Sequence, residues 1–258
     1  MAGYSGGRKV IAPGVAHAET ITTFHSARYM EDPLAANCNL EGNPLHEDQL
    51  EIVEMVGGAL AMNLVIDEFR NLSFINFGEI VSSHLEAVAF IRKYAEVKVP
   101  RRFKTVLTSC AGHPLDLTYY QTVKGMVGPL DILDKGGDLI IVSSCIEGMG
   151  SEEFIAAQKR LVEMGPSGFL NAITQKQYAD IDEWQTEMQL KPMKVGSIHL
   201  YSEGLSDKDW LVTGVNKVDN LQKCIEQSFV CHKQNKIAVI PEGPYAVSYT
   251  HLTLPTKA

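Results

Sequence analysis

The loop Gly3-Tyr4-Ser5-Gly6-Gly7-Arg8-Lys9 combines residue types that suit an anion. Adjacent glycines permit positive φ and close backbone approach, so their N–H groups can cradle a phosphate while Arg8 and Lys9 supply charge. The loop lacks the Gly-x-x-x-x-Gly-Lys-Ser/Thr spacing of a P-loop, and a mobile N-terminal turn is the simpler reading of the same residues. A second glycine loop, Gly148-Met149-Gly150, stands where a dinucleotide fingerprint would, but Glu153 occupies the place of its third glycine, which argues against an NAD site.

Other candidates are more scattered. His25, in Phe24-His25-Ser26, and His113, in Gly112-His113-Pro114, sit in loop-like sequence, and neither belongs to a zinc pattern. Gln121 and Lys124 are three apart at the start of a predicted helix and so share a face, where a lysine beside an amide suits a carboxylate; a solvated polar face is the simpler alternative. Trp184 stands among the polar residues 180–189, where packing from a helix edge is the plain explanation. Cys224 and Cys231 lie on one predicted helix face, roughly 10 Å apart along the axis, too far to share a metal, and read as buried core thiols.

These residues need elements to position them. Asn43 can cap a helix that Pro44 begins, and Leu50, Val53, Val56 and Leu60 recur with its period across a weak Gly57-Gly58 pair. Val65-Ile66 and Leu72–Phe77 suggest a hairpin, and Ser83-x-x-Glu86 is a capping box for the next helix. The cluster Val99-Pro100-Arg101-Arg102 marks a boundary. Beyond it, short apolar runs alternate with helical stretches, the pattern of a parallel sheet covered on both faces. Strands are expected at 105–108, 138–144, 195–201 and 236–240. Helices are expected over 117–133, from Ser151 to just before Gly165, at 169–178, at 181–190 and over 218–233.

The chain has 258 residues, with 23 basic and 31 acidic side chains for a net charge of −8, and no basic run longer than Arg101-Arg102, so a nucleic-acid partner is not expected. The longest nearly apolar stretch, Gly57–Ile66, contains Asn63 and is too short to span a bilayer. A signal-peptide outline at residues 8–18 is broken by Pro13-Gly14. Five cysteines without a Cys-x-x-Cys pair fit reduced thiols, and the expected location is the cytoplasm.

Taken together, Ala2–Lys9 with Pro13-Gly14, the His25 segment, Gly112-x-Pro114-Leu115-Asp116, Tyr120-Gln121-x-x-Lys124-Gly125-Met126 and Ile240-Pro241-Glu242-Gly243-Pro244 resemble the nickel-pincer lactate racemase family, in the family's order. The resemblance implies two α/β domains with mostly parallel sheets covered by helices, the first incomplete. It places a partial cofactor-anchoring domain at 1–102, a substrate-side domain at 103–235, a strand returning to the first domain at 236–247, and an unrelated tail at 248–258. It also implies that Lys9 carries the pyridinium-3,5-bisthiocarboxylic acid mononucleotide covalently, with Ser5, Gly6, Gly7 and Arg8 around it, and that His25 ligates the nickel. Gln121, Lys124 and Trp184 would line the substrate side. The implied chemistry is racemisation or epimerisation of a 2-hydroxy acid by hydride removal and return, with cofactor-synthesis proteins as partners. Departures from the family bear on this. No counterpart of the family's upstream half, with its two general-base histidines, precedes Lys9, so the chain alone is expected to be inactive. His113 stands where the lactate enzyme has an aromatic residue, so the substrate need not be lactate. The alternative is a non-catalytic nucleotide- or anion-binding α/β module.

Overall fold

The computed structural model describes residues 4–67 and 69–250. The chain divides into two units, Met1–Glu96 and Val97–Ala258.

The first unit opens with a 3₁₀ turn, Gly7–Val10, followed by α1 (Ala18–Phe24), α2 (Ala27–Met30) and α3 (Pro44–Met55). Asn43 caps α3 through its side chain, accepting from the Leu45 N–H at 3.1 Å, with Pro44 in the first turn as expected. The helix ends at Met55, earlier than the apolar period suggests. Gly57 and Gly58 both take φ near +80°, where L-residues are strained, so the chain turns out of the helix and Leu60 starts a strand instead. β1 (Leu60–Ile66) and β2 (Leu72–Glu79) form the expected hairpin, antiparallel, with Met62 opposite Phe77 and Leu64 opposite Ile75.

α4 (Ile80–Ala95) starts before the capping box read from Ser83. Glu79 caps it, its carboxylate accepting from the Val81 and Ser82 N–H groups, and Ser83 is buried in the first turns, taking a hydrogen bond from the Asn63 side chain at 3.1 Å. One face of the hairpin packs on α4. On the other, Leu60, Met62, Leu64, Ile66, Ile75 and Phe77 are all at least half exposed. A contiguous apolar strip of this kind binds apolar partners. The purified chain is therefore expected to enhance the fluorescence of a hydrophobic dye, and the double change Met62→Ser with Phe77→Ser should remove most of that signal; an unchanged signal would place the dye elsewhere.

The second unit holds an all-parallel five-stranded sheet. Its strands are β4 (Phe103–Ser109), β5 (Leu133–Val142), β6 (Ser197–Tyr201), β7 (Asn216–Lys217) and β8 (Ala238–Ile240), in the order β7-β6-β5-β4-β8. Leu139, Ile140 and Ile141 are fully buried, which explains a strand that reads as an unbroken apolar run rather than an alternation. Its helices are α5 (Tyr119–Val127), α6 (Glu152–Thr174), α7 (Glu183–Val195), α8 (Asp207–Trp210) and α9 (Leu221–His232). Two short strands, β3 (Glu96–Lys98) and β9 (Val247–Tyr249), pair with each other.

Several expectations are corrected here. The helix read over 117–133 is only α5: Gly128 and Pro129 follow its last residue, and Leu133 already belongs to β5. Ser151 caps α6 through Phe154 N–H as expected, and Gly165, at φ +69° and ψ 166°, interrupts the helix where its end is expected, with Pro166 opening the second helical stretch that holds Phe169. Within 236–247, β8 pairs with β4, Leu107 opposite Val239. Cys224 is half-buried and Cys231 exposed, because α9 meets the sheet through a polar face. On that face Ser228 Oγ lies 2.8 Å from Thr105 Oγ1, and Asp138 accepts from His232 Nε2 at 3.0 Å and from His199 Nε2 at 3.1 Å. Burial pushes the Asp138 carboxyl up, but these hydrogen bonds and the two imidazoles outweigh it and hold it at about 2. The tail expected at 248–258 lies outside the described residues from 251 onward, and the Ala2-Gly3 part of the lysine motif also falls outside them.

Candidate functional site

In the first unit the glycine loop is shaped by what it packs on. Gly7 has φ +51°, and a Cβ there would sit 2.6 Å from the His84 side chain, so only glycine lets the loop lie against α4. His84 Nε2 donates to the Ser5 carbonyl at 3.1 Å, which leaves its Nδ1 to accept from Arg8 Nη1 at 3.2 Å. Arg8 is 5% exposed, and its Nε is buried without a hydrogen-bond partner. Burial pulls its pKa down to about 10.

Arg8 and Lys9 line a cavity of ≈ 170 Å³ together with His25, His46 and the amides of Asn39, Asn43 and Gln49. Among the described residues no carboxylate lines it. His46, from α3, is buried with Nδ1 unpartnered. Burial, and then the Arg8 charge, hold His46 and His84 near pKa 4, so both rings are neutral at pH 7. His25 closes the end of α1, its Nδ1 2.8 Å from the Ile21 carbonyl. A carbonyl only accepts, so the proton is on Nδ1 and Nε2 is the basic nitrogen, the arrangement that orients a metal-binding imidazole.

The structure therefore brings Lys9, Arg8 and His25 to one cavity. Ser5 is exposed and contributes its carbonyl to His84; Gly6 and Gly7 shape the loop without lining the cavity. His46 and His84 have no motif in the sequence. The weak signal they carry is position: His84 falls three and four residues before the buried Ala87 and Val88 of α4, and His46 seven before the buried Val53 of α3.

The resemblance implies a nickel and a mononucleotide, and the residues present fit the group in two respects. Among the described residues no three His, Cys, Asp or Glu side chains are grouped to hold a metal, so an ion at His25 would need donors from an organic ligand, as the implied thioacid offers. The unpartnered Arg8 and His46 nitrogens suit an anionic end of such a ligand. At ≈ 170 Å³ the cavity is below the roughly 300–1,000 Å³ of whole small-molecule sites, so it would take one end of a mononucleotide.

In the second unit Lys124 and Trp184 meet at Tyr120, and Gln121 follows it in α5. Thr118 caps α5 by accepting from Gln121 N–H at 3.3 Å, which fixes the start of the face that carries Gln121 and Lys124. The exposed Lys124 ammonium lies 5.7 Å from the centre of the Tyr120 ring. Trp184 Nε1 donates to the Tyr120 hydroxyl at 3.2 Å, and Gln185 Nε2 to the Tyr120 carbonyl at 2.7 Å. Burial raises the phenol to about 12; the Trp184 hydrogen bond opposes the rise and Asp182 adds to it. Trp184 is thus held by a polar contact to α5, not only by packing at a helix edge. His113 is exposed.

Two α/β units, a lysine-bearing glycine turn beside a histidine-lined cavity, and a Tyr-Gln-x-x-Lys helix on a parallel sheet define the class of protein. Residues 100–247 match the lactate racemase C-terminal domain, and residues 1–37 match the lactate racemase N-terminal domain. The chain belongs to the lactate racemase family. Lactate racemases of Thermoanaerobacterium thermosaccharolyticum and Lactiplantibacillus plantarum are each 29% identical to it, over 248 and 249 residues, covering 94% of this chain and 57% of each relative. The chain spans little more than half the length of these curated relatives. The lactate racemase apoprotein structure from T. thermosaccharolyticum superposes with a TM-score of 0.86 at 26% identity, over 96% of this chain and 59% of that one. A Thermotoga maritima protein shares the fold, with a TM-score of 0.67 at 15% identity, over 96% of this chain and 63% of that one.

Proposed function

We propose that the chain is the cofactor-anchoring and substrate-side part of a nickel-dependent racemase or epimerase of 2-hydroxy acids, working in the cytoplasm. The observation that carries this reading is the meeting of Lys9 and His25 at one cavity in a chain of the lactate racemase family. Lys9 would hold the nickel-pincer nucleotide covalently and His25 would ligate its metal through Nε2. When bound, that group supplies an acceptor and donor of hydride for the Cα–H of the substrate.

The residues of the chain bind and orient. The His25 ring is oriented by its Nδ1–H bond to the Ile21 carbonyl, which makes Nε2 its basic nitrogen. On the substrate side Lys124 offers a charged donor to a carboxylate and Gln121 a neutral one, while Tyr120, tied to Trp184 and Gln185, keeps their helix face in place. Lys124→Ala is expected to weaken a carboxylate-bearing inhibitor by roughly 1.5 kcal/mol, moderated by the exposure of this side chain, and Gln121→Ala by about half as much. Calorimetric titration of the cofactor-loaded protein checks this; equal and negligible losses would return the face to solvent. In the family, general-base histidines precede the lysine loop, and none of the eight histidines here stands in a matching motif. The 258 residues alone are accordingly proposed not to turn over.

Co-expression with the cofactor-synthesis proteins tests the assignment. Intact mass should show an adduct on Lys9 with stoichiometric nickel. An unmodified, nickel-free chain would leave the reading without support and favour a non-catalytic anion-binding module.

A further inference from the structure

Asp182 stands at the head of α7, where an Asp side chain ordinarily caps the helix by accepting from its first N–H groups. It makes no such bond. Its backbone is left-handed, at φ +60° and ψ −1°, and its Oδ2 instead accepts from Ser151 Oγ at 2.6 Å, 31 positions away. Giving up a local cap for a distant partner means that tertiary contacts hold the residue there. Ser151 itself accepts from Phe154 N–H, so its hydroxyl proton points to Asp182. The loop before Ser151 lies on the start of α5: the Tyr119 and Tyr120 N–H groups donate to the Gly148 and Met149 carbonyls at 2.9 and 3.0 Å, and a Cβ on Gly150 would meet the Tyr120 Cβ at 3.0 Å. Beyond Asp182, the buried Glu183 accepts from Arg160 and Lys176 at 2.5 and 2.8 Å, and Trp184 and Gln185 bond to Tyr120. The half-buried Asp182 carboxylate is thereby fixed at the Tyr120 face that also carries Lys124. Burial raises the Tyr120 phenol and lowers the Lys124 ammonium, and the nearby Asp182 charge raises both. Among the described residues no ion pair joins Asp182 to Lys124, so the two opposite charges share the face without cancelling.

We propose that Asp182 is a specificity-determining residue of the substrate face: beside Lys124 it makes the face bipolar, so that a 2-hydroxy acid with one carboxylate is taken and one with a second carboxylate is rejected. The proposal rests on the substrate-side reading of Lys124. That ammonium gives the first carboxylate a charged donor. A second carboxylate on a short carbon chain stays within reach of the Asp182 charge, and like charges on a partly desolvated face repel. A hydroxyl or apolar tail meets no such penalty, and a hydroxyl can donate to the Asp182 oxygens. Selectivity of this kind comes from a built-in repulsion and not from added affinity.

The experiment is calorimetric titration of the full chain, co-expressed with the cofactor-synthesis proteins, with lactate and malate as probes, for the wild type, Asp182→Asn and Lys124→Ala. Asp182→Asn removes the charge alone, since Asn tolerates the left-handed backbone and its amide oxygen still accepts from Ser151. The wild type should bind lactate at least about threefold more tightly than malate. In Asp182→Asn, malate should gain about three- to tenfold while lactate changes less than about twofold, and the gain should shrink as salt is raised. A purely structural Asp182 would give a different result, an equal loss for both acids that salt does not alter. That outcome, an unchanged malate affinity, a malate gain indifferent to salt, or malate bound by the wild type as tightly as lactate overturns the proposal; the substrate-side reading survives it as long as Lys124→Ala weakens lactate. Lactate binding that is absent, or indifferent to Lys124→Ala, overturns the substrate-side reading and the proposal together.

Discussion

Lys9→Ala is expected to abolish both the covalent adduct and the nickel, whereas His25→Ala should keep the adduct mass and lose the metal. The asymmetry follows from what each side chain does. In the proposed function Lys9 would supply the amine for the link, and its loss would leave a soluble ligand with only the cavity contacts to retain it. Amide formation at Lys9 needs no imidazole, so the His25 substitution touches coordination alone. His25 would be a direct ligand, and changes one shell further out already cost roughly 10–100-fold in metal affinity, so removing the ligand itself should cost at least about 100-fold. Intact mass and metal analysis on the same preparations separate the two outcomes. Full nickel occupancy in His25→Ala would make His25 an ordinary helix-terminal histidine whose Nδ1–H happens to satisfy the Ile21 carbonyl.

The second large effect is on acid stability. His46 and His84 are held near pKa 4 against 6.5 in an unfolded chain. The folded state therefore disfavours the protonated rings, and the unfolded state binds their protons first. Stability is fully present above pH 6.5 and is lost as pH falls toward 4. At pH 4.5 each ring should have cost roughly 2–3 kcal/mol, a large part of the stability of a small unit, and protonating either beside Arg8 makes the other harder to protonate. The depressed carboxyl of Asp138, near 2, acts only at lower pH, and the Asp131 carboxyl, raised by burial, acts with the opposite sign, so a loss between about 6.5 and 4.5 is assigned to the imidazoles. Urea unfolding across that range, followed in the wild type and in His46→Gln with His84→Gln, checks the assignment. A wild-type curve as flat as that of the double variant would show that neither ring is shielded.

The relation between sequence and structure differs element by element. Asn43-Pro44 starts a helix and Ser151 caps another because caps act within three residues, through bonds the local chain makes by itself. The apolar run at 138–142 is a buried parallel strand for an equally local reason: no polar face means no solvent face. Elsewhere the same local rules mislead. Ser83 has the spacing of a cap, yet Glu79 captures the helix start and Ser83 turns inward to Asn63, a residue twenty positions away that the spacing does not show. Cys231 falls on what reads as an apolar face, yet α9 docks through Ser228 and His232 onto Thr105 and Asp138.

The candidate site divides in the same way. Lys9, His25, Gln121, Lys124 and Trp184 are visible in the sequence because their chemistry sits in short motifs in a fixed order, and order survives without coordinates. Arg8 was visible as a charge but not as a buried, unpartnered one. His46 and His84 were not visible, since each stands at an unremarkable helical position and only the packing of α3 and α4 around the glycine turn brings them to Arg8. Sequence by itself determined the caps of α3 and α6, the buried strand β5 and the motif residues that carry the family resemblance, because these are written in stretches a few residues long. Tertiary structure alone decided which of those residues lost their water, and with that how their pKa values shift, because desolvation is a property of neighbours that lie far apart in the chain.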